Sequence, residues 1–415
     1  MTVAFYVWLL VITCGAQETL LSVHVVFRHG ARAPVLNVTS EESKIHFYRG
    51  LGQLTDEGIE QAKLTGEYLR ENYVKRGFID ERMIPSELLF RSSPVERCLM
   101  TIETVGAVMF PNATPPVQTV PRGEDYLLLP KMDCPFLIDE YQQFFNLTPA
   151  EKEEARRNIW DISERALKKA ALQTTQLVDK WDQNIPALIL EKDAGLAVPS
   201  WFNEKAYSEA KSVFYSALAV MSSVGEYHSA RGIRPKSGLL LNNIFKEIRA
   251  QVACHQQGGQ KCGNRKFQVF SSHDILILSL LESMGLREPA LGPNSAPEFL
   301  ATIIMETWIS TEGEPVVKVL YKPHPKRAAV VMTRFVTKCD KFPEFCPVQQ
   351  FLSCCDDFIT SDAKTECYGP GPGIWRMTPI SWILIAVCLF LMLLVALLFG
   401  VVVRNRSRSS VNLKV

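Results

Sequence analysis

The sequence predicts an α/β protein with a core of buried parallel strands, an inserted helical cap, an amino-terminal signal peptide and one carboxyl-terminal transmembrane helix. Three observations carry that expectation. Three short apolar runs end at Arg28, Arg91 and His273, and each gives way at once to a helix-favouring segment, as strand-to-helix units do. From about Asp139 to Ala250 the composition shifts to charged, helix-periodic segments. Ile380 to Val403 is apolar for 24 residues, where roughly 20 suffice to cross a bilayer.

The 415 residues are enough for one large domain or two, and a net charge of +1 gives no overall bias toward nucleic acid. Met1 to Ala16 carries the apolar run FYVWLLVI followed by small residues, a secretory leader whose n-region lacks Lys and Arg. Arg404, Arg406, Arg408 and Lys414 follow the apolar stretch and mark a cytoplasmic tail. The expected organisation is a signal peptide at 1–16, an α/β domain at 17–138, its cap at 139–250 and the rest of that domain at 251–369. A stalk at 370–379, a membrane span at 380–403 and a tail at 404–415 complete a single-pass type I protein. The tail has no tyrosine, so plasma membrane and endolysosomal residence both stay open.

Cysteine usage fits that compartment. Of eleven cysteines, Cys14 leaves with the leader and Cys388 lies in the span; the nine others are an odd number, so at least one is free or pairs between chains. No CxxC repeat has metal spacing, and no metal is expected. Asn37, Asn112 and Asn146 head lumenal glycosylation sequons, whereas the Asn405 sequon falls on the cytoplasmic side.

Along the chain, Leu21 to Phe27 is apolar on both alternating faces, a strand buried on two sides. It stops at Arg28-His29-Gly30, where Gly30 and Pro34 break the pairing and present Arg28, His29 and Arg32 at the strand end. Guanidinium forks match phosphate oxygens, and flanking cations keep an imidazole unprotonated. The stretch reads as a phosphate site with a nucleophile inside it. Gln53 to Arg76 follows as a helix with Ile59, Ala62, Gly66, Leu69 and Tyr73 on one face and Thr55 as N-cap.

A second strand runs to Arg91, with Ser93 as N-cap, Pro94 at the first helical position and Glu96 closing a capping box on the helix Val95 to Met109. The cap holds the helical segments Pro149 to Trp181 and Trp201 to Tyr227; Trp160, Trp181 and Trp201 read as core packing ahead of a substrate entrance. Lys266 to His273 is a third strand, and Asp274 opens a helix that Gly285 ends. Phe299 to Ile309 and Val316 to Lys322 read as antiparallel strands. Cys254 and Cys262 flank a polar loop that they could close.

The string R-H-G-x-R-x-P at 28–34 resembles the signature of the histidine acid phosphatase family, of the phosphoglycerate-mutase-like superfamily. Arg91-Ser-Ser resembles the start of the family's R-S-T-x-x-x-R-T-L-x-S segment, with Cys98 where the family has threonine. Gly123 to Pro130, Cys134-Pro135, Lys236 to Phe245 and His273-Asp274 extend the likeness over nearly the whole lumenal part. The resemblance implies a three-layer fold in which His29 forms a phosphohistidine, Asp274 donates a proton, and Arg28, Arg32, Arg91 and His273 hold the phosphate. It also implies disulfides Cys134 to Cys367 and Cys339 to Cys346, and leaves Cys354 and Cys355 open.

The expected activity is metal-independent and cofactor-free hydrolysis of phosphate monoesters with an acid optimum. The alternatives are a phytase-like inositol polyphosphate phosphatase and a non-catalytic cell-surface ectodomain. The family fold is often dimeric, and no stretch proves an interface, so a homodimer stays open.

Overall fold

The apolar run at the amino terminus forms β1 (Thr19–Arg28), buried from Ser22 onward in this computed structural model. The structure describes residues 18–129, 134–145, 148–151, 184–258 and 265–369, with a few isolated positions elsewhere. β2 (Leu88–Ser92), β3 (Val117–Gln118), β4 (Phe267–Ser272), β5 (Thr302–Ile309), β6 (Pro315–Lys322), β7 (Val330–Val331) and β8 (Cys346–Pro347) complete one sheet. Its order is β3-β2-β4-β1-β5-β6-β7, with β8 also on β6. β3, β2, β4 and β1 run parallel; β5 joins β1 antiparallel and opens the antiparallel half.

β1 is apolar on both faces because both faces are covered. Val23, Val25 and Phe27 pack with Leu69, Ile102 and Val105, from the helices Asp56–Leu69 and Glu96–Met109. Val26 and Phe270 face Leu240, Ile244, Ile277 and Leu280, from the helices Leu239–Gln256 and Asp274–Ser283. Burial of such side chains contributes roughly 1.5–3 kcal/mol each. This is the mixed α/β architecture that the sequence predicts, and it leaves the carboxyl ends of β2, β4 and β1 side by side.

Local expectations fared differently. Thr55 caps its helix by accepting the Gly58 N–H at 3.1 Å, and that helix runs on into a π-turn at Arg70–Val74. Ser93, by contrast, is not an N-cap. The helix begins at Glu96, its cap residue Val95 makes no side-chain cap bond, and the Ser93 hydroxyl is committed to a histidine 180 positions away. β5 begins at Thr302 rather than Phe299, because Leu300 turns the backbone with φ of 56° and gives its N–H to the His29 carbonyl.

In the cap, helices Pro135–Phe145, Ile185–Asp193 and Glu204–Ser222 are described. Trp201 packs beside Phe202 in a local apolar cluster. The predicted helix at 149–181 lies almost wholly outside the described residues, as do Trp160, Trp181 and Asn146; the signal peptide, stalk and tail lie there too. Of the predicted span, only isolated positions are described. Among the described residues no helix is long and apolar enough to cross a membrane. By internal contacts, Met1–Tyr368 form one unit and Gly369–Val415 another.

Cys134 is bonded to Cys367 and Cys339 to Cys346, and the adjacent Cys354 and Cys355 are bonded to each other. Cys254 is also disulfide-bonded, while residue 262 lies outside the described residues. Cys98 is free and buried.

Candidate active site

Parallel register sets Arg28 opposite Ser272, and Ser92 opposite Ser271, so the loops leaving the three strands share one neighbourhood. Such carboxyl-end crevices are where open α/β sheets bind ligands. The motif after β1 is locked there by two helices. The Gly30 N–H donates to Thr101 Oγ1 at 3.1 Å and the Ala31 N–H to Gln61 Oε1 at 2.9 Å. The contact is so close that a Cβ on Gly30 would lie 2.6 Å from the Gly58 carbonyl oxygen, and one on Gly58 would lie 2.2 Å from that of Ala31.

His29 is buried, with its ring 5.7 Å from that of His273. Its Nδ1 donates to the Gly30 carbonyl oxygen at 2.8 Å, which leaves the Nε2 lone pair free. Burial, then the charges of Arg97, Arg28, His273 and Arg32, holds its pKa well below the ordinary histidine range. That shift favours the unprotonated, nucleophilic form of the ring.

Arg28 donates to the Pro297 carbonyl at 2.7 Å, pairs with Asp274 Oδ2 at 2.9 Å and lies 4.1 Å above the Phe299 ring. Arg32 is braced on the Ala33 carbonyl at 3.0 Å; burial, ahead of Arg97 and Arg28, lowers its pKa to about 9, still cationic in acid. Asp274 accepts the Ile275 N–H at 2.9 Å. Burial raises the Asp274 pKa, but Arg28, Arg32, His273 and that N–H together bring it below the usual carboxylate value. His273 joins Ser93 Oγ through Nε2 at 2.9 Å, and burial followed by Arg97 brings its pKa to about 3.

Sequence reasoning did not single out Arg97. Its charge ranks just after burial among the influences on His29 and on His273. The Nε atoms of Arg28, Arg32 and Arg97 are all buried with no hydrogen-bond partner. An unmade buried donor costs about 1–3 kcal/mol, which an anion among the three would recover. Arg91, at the end of β2, is braced as Arg28 is: Nη2 donates to Asp125 Oδ1 at 2.8 Å and Nη1 to the Ser92 carbonyl. A signal for Arg97 existed, since the R-S-T-x-x-x-R segment contains two arginines and the second falls at position 97.

Cys98 lies against the site as a small buried thiol, its pKa pushed up to about 12 by burial. Among the described residues no group of three or more His, Cys, Asp or Glu could hold a metal ion.

Comparison with known proteins finds relatives over most of the chain. Residues 19–322 match the histidine phosphatase superfamily (branch 2). The chain is 56% identical to putative acid phosphatase 1 of Caenorhabditis elegans, over 100% of this chain and 99% of that protein. It is 26% identical to the prostatic acid phosphatase of Homo sapiens, covering 83% of this chain and 87% of the other. Among solved structures, the Hafnia alvei phytase in complex with tartrate aligns with a TM-score of 0.57 at 16% identity, covering 86% of this chain and 100% of that one, a likeness of fold alone.

Proposed function

The chain belongs to the histidine phosphatase superfamily (branch 2), and from that membership we propose the course of its reaction. It is an acid phosphatase that hydrolyses phosphate monoesters through a phosphohistidine intermediate. The observation that carries the reading is the buried His29 ring, held through Nδ1 on the Gly30 carbonyl with Nε2 left open, 5.7 Å from the His273 ring and within the field of Arg28, Arg32 and Arg97.

In the first step Nε2 of His29 attacks phosphorus and the P–O bond to the alcohol breaks in line, with the guanidiniums and His273 taking up charge on the equatorial oxygens. The departing oxygen takes the proton of Asp274, so a neutral alcohol leaves. In the second step a water gives its proton to the Asp274 carboxylate and attacks phosphorus, releasing phosphate and the imidazole. Because Asp274 must start protonated and its pKa is depressed, its competent fraction grows as pH falls. Burial and the neighbouring cations favour the neutral form of His29 in the same acid, since they hold its pKa well below the ordinary histidine range.

Around this chemistry the reading keeps Arg91, held by Asp125, as a phosphate-holding group at the end of β2 and adds Arg97 to that role. The apolar stretch 380–403 anchors the enzyme as a single-pass type I membrane protein with its bulk lumenal or extracellular. Exposed sequons at Asn37 and Asn112 are in keeping with glycosylation on that side.

The test is phosphate release by the full-length protein from glycerol phosphate and p-nitrophenyl phosphate between pH 3 and 8. Activity is expected to rise toward acid and to persist in a chelator. Asp274→Asn is expected to lose roughly 10²–10⁴-fold on the alkyl ester and far less on the aryl ester, whose leaving group needs no proton. Inactivity at every pH, or abolition by the chelator, would overturn the reading.

A further inference from the structure

The sequence places Ser93 where a helix cap is expected, and the fold uses it for something else. Ser93 is fully buried, its N–H donates to the Ser271 carbonyl at 3.0 Å, and its hydroxyl lies 2.9 Å from His273 Nε2. The neutral His273 ring carries one proton on one of two nitrogens. Were Nε2 protonated, Nδ1 would turn a lone pair toward any phosphoryl oxygen held by this ring, a repulsive contact. With Nε2 accepting the Ser93 hydroxyl proton, Nδ1 carries the ring proton and donates to the anion. The remaining neighbour of the ring is the Cys98 thiol, 3.7 Å from Nε2 and 3.9 Å from Nδ1, too weak a donor to set the tautomer alone.

We propose that Ser93 is a positioning residue for phosphoryl transfer: through the Ser93 Oγ to His273 Nε2 hydrogen bond it fixes the Nδ1–H tautomer and the ring orientation of His273. The proposal rests on the reading of His273 as a phosphate-holding group. Partners of this kind, one bond removed from the reacting atoms, typically govern 10–100-fold in activity where they orient a ligating histidine. The Ser93 hydroxyl is committed to His273, so its effect passes through that ring.

The experiment is a double-mutant cycle on the full-length enzyme with Ser93→Ala, His273→Ala and the double variant, together with Ser93→Thr, which keeps the hydroxyl. Ser93→Ala is expected to lower kcat by about 10–100-fold with KM changed far less, and to weaken inhibition by vanadate, a mimic of the transition state, in proportion to kcat/KM. Ser93→Thr restores most of the activity, and the double variant is no slower than His273→Ala. Losses that multiply in the double variant would mark Ser93 as merely structural and overturn the proposal, as would full activity in Ser93→Ala. Full activity in His273→Ala would instead sink the role of His273 itself. Should the alanine variants not fold, nitrogen NMR of histidine-labelled wild-type protein decides: an unprotonated Nε2 on His273 supports the proposal, and a protonated one overturns it.

Discussion

At the scale of single residues, two arginines of one segment are held differently. The Arg91 guanidinium is tied to the fully buried Asp125, whereas Arg97 sits in the first turn of a helix with its Nε unpartnered beside His29 and His273. Arg97→Ala should lower kcat/KM by roughly 10²–10³-fold, as loss of a transition-state charge donor does, with little change in Tm. Arg91→Ala should lower kcat/KM as well and, because it strands a buried carboxylate, should also cost about 3–5 kcal/mol of stability. Kinetics and thermal unfolding of the pair separate the roles; the opposite assignment of stability losses would refute them. The difference was hard to read in sequence because only the fold reveals that position 91 meets position 125.

His24 makes a second case at this scale. It lies inside β1, fully buried, with neither ring nitrogen hydrogen-bonded, and burial lowers its pKa to about 3. The unfolded chain takes up its proton near pH 6.5 and the folded one does not, so stability falls by about 1.4 kcal/mol per pH unit as pH drops from about 6.5 toward 3. For an enzyme that works in acid this is a standing cost. His24→Leu is expected to gain Tm over wild type by an amount that widens from pH 7 to pH 4. A gap that does not change with pH would show that His24 is not the source.

At the scale of elements, the site depends on how closely the amino-terminal turn of the helix Asp56–Leu69 presses on Gly30 and Ala31. A Cβ on Gly58 would meet the Ala31 oxygen, so Gly58→Ala must move either the helix or the motif that carries His29. We expect it to lower both Tm and kcat, the latter by on the order of 10²-fold if the shift approaches 1 Å. Gly123→Ala, where a Cβ meets nothing within 4 Å, should change neither. Equal behaviour of the two variants in the kinetic and unfolding assays would contradict this. Most elements here were legible because they are long enough to show a pattern, a continuous apolar run in β1 and strand-length runs in β4, β5 and β6, and the Thr55 cap is local. The two-residue strands β3, β7 and β8 have none to show. Ser93 was misread because its capping pattern is local while its partner, His273, lies in another element.

At the scale of the whole molecule, residues far apart in the chain are gathered by the parallel half of a mixed sheet, where β2, β4 and β1 end together, and the Cys134–Cys367 disulfide joins positions 233 apart. His29 and Asp274 could be singled out as the proposed catalytic pair because each follows an apolar strand and opens a polar turn, and the family resemblance joined them. The Arg97 guanidinium and the tautomer of His273 could not, because both depend on which side of a helix or ring faces inward. Everything then rests on phosphorus becoming bonded to one imidazole nitrogen. Full-length enzyme should be mixed with a monoester carrying labelled phosphate, quenched in alkali within the first turnovers, and its peptides mapped. The account predicts an alkali-stable, acid-labile phosphate on the peptide that contains His29, lost in His29→Ala together with activity. Label on another peptide, or an active His29→Ala enzyme, would contradict it.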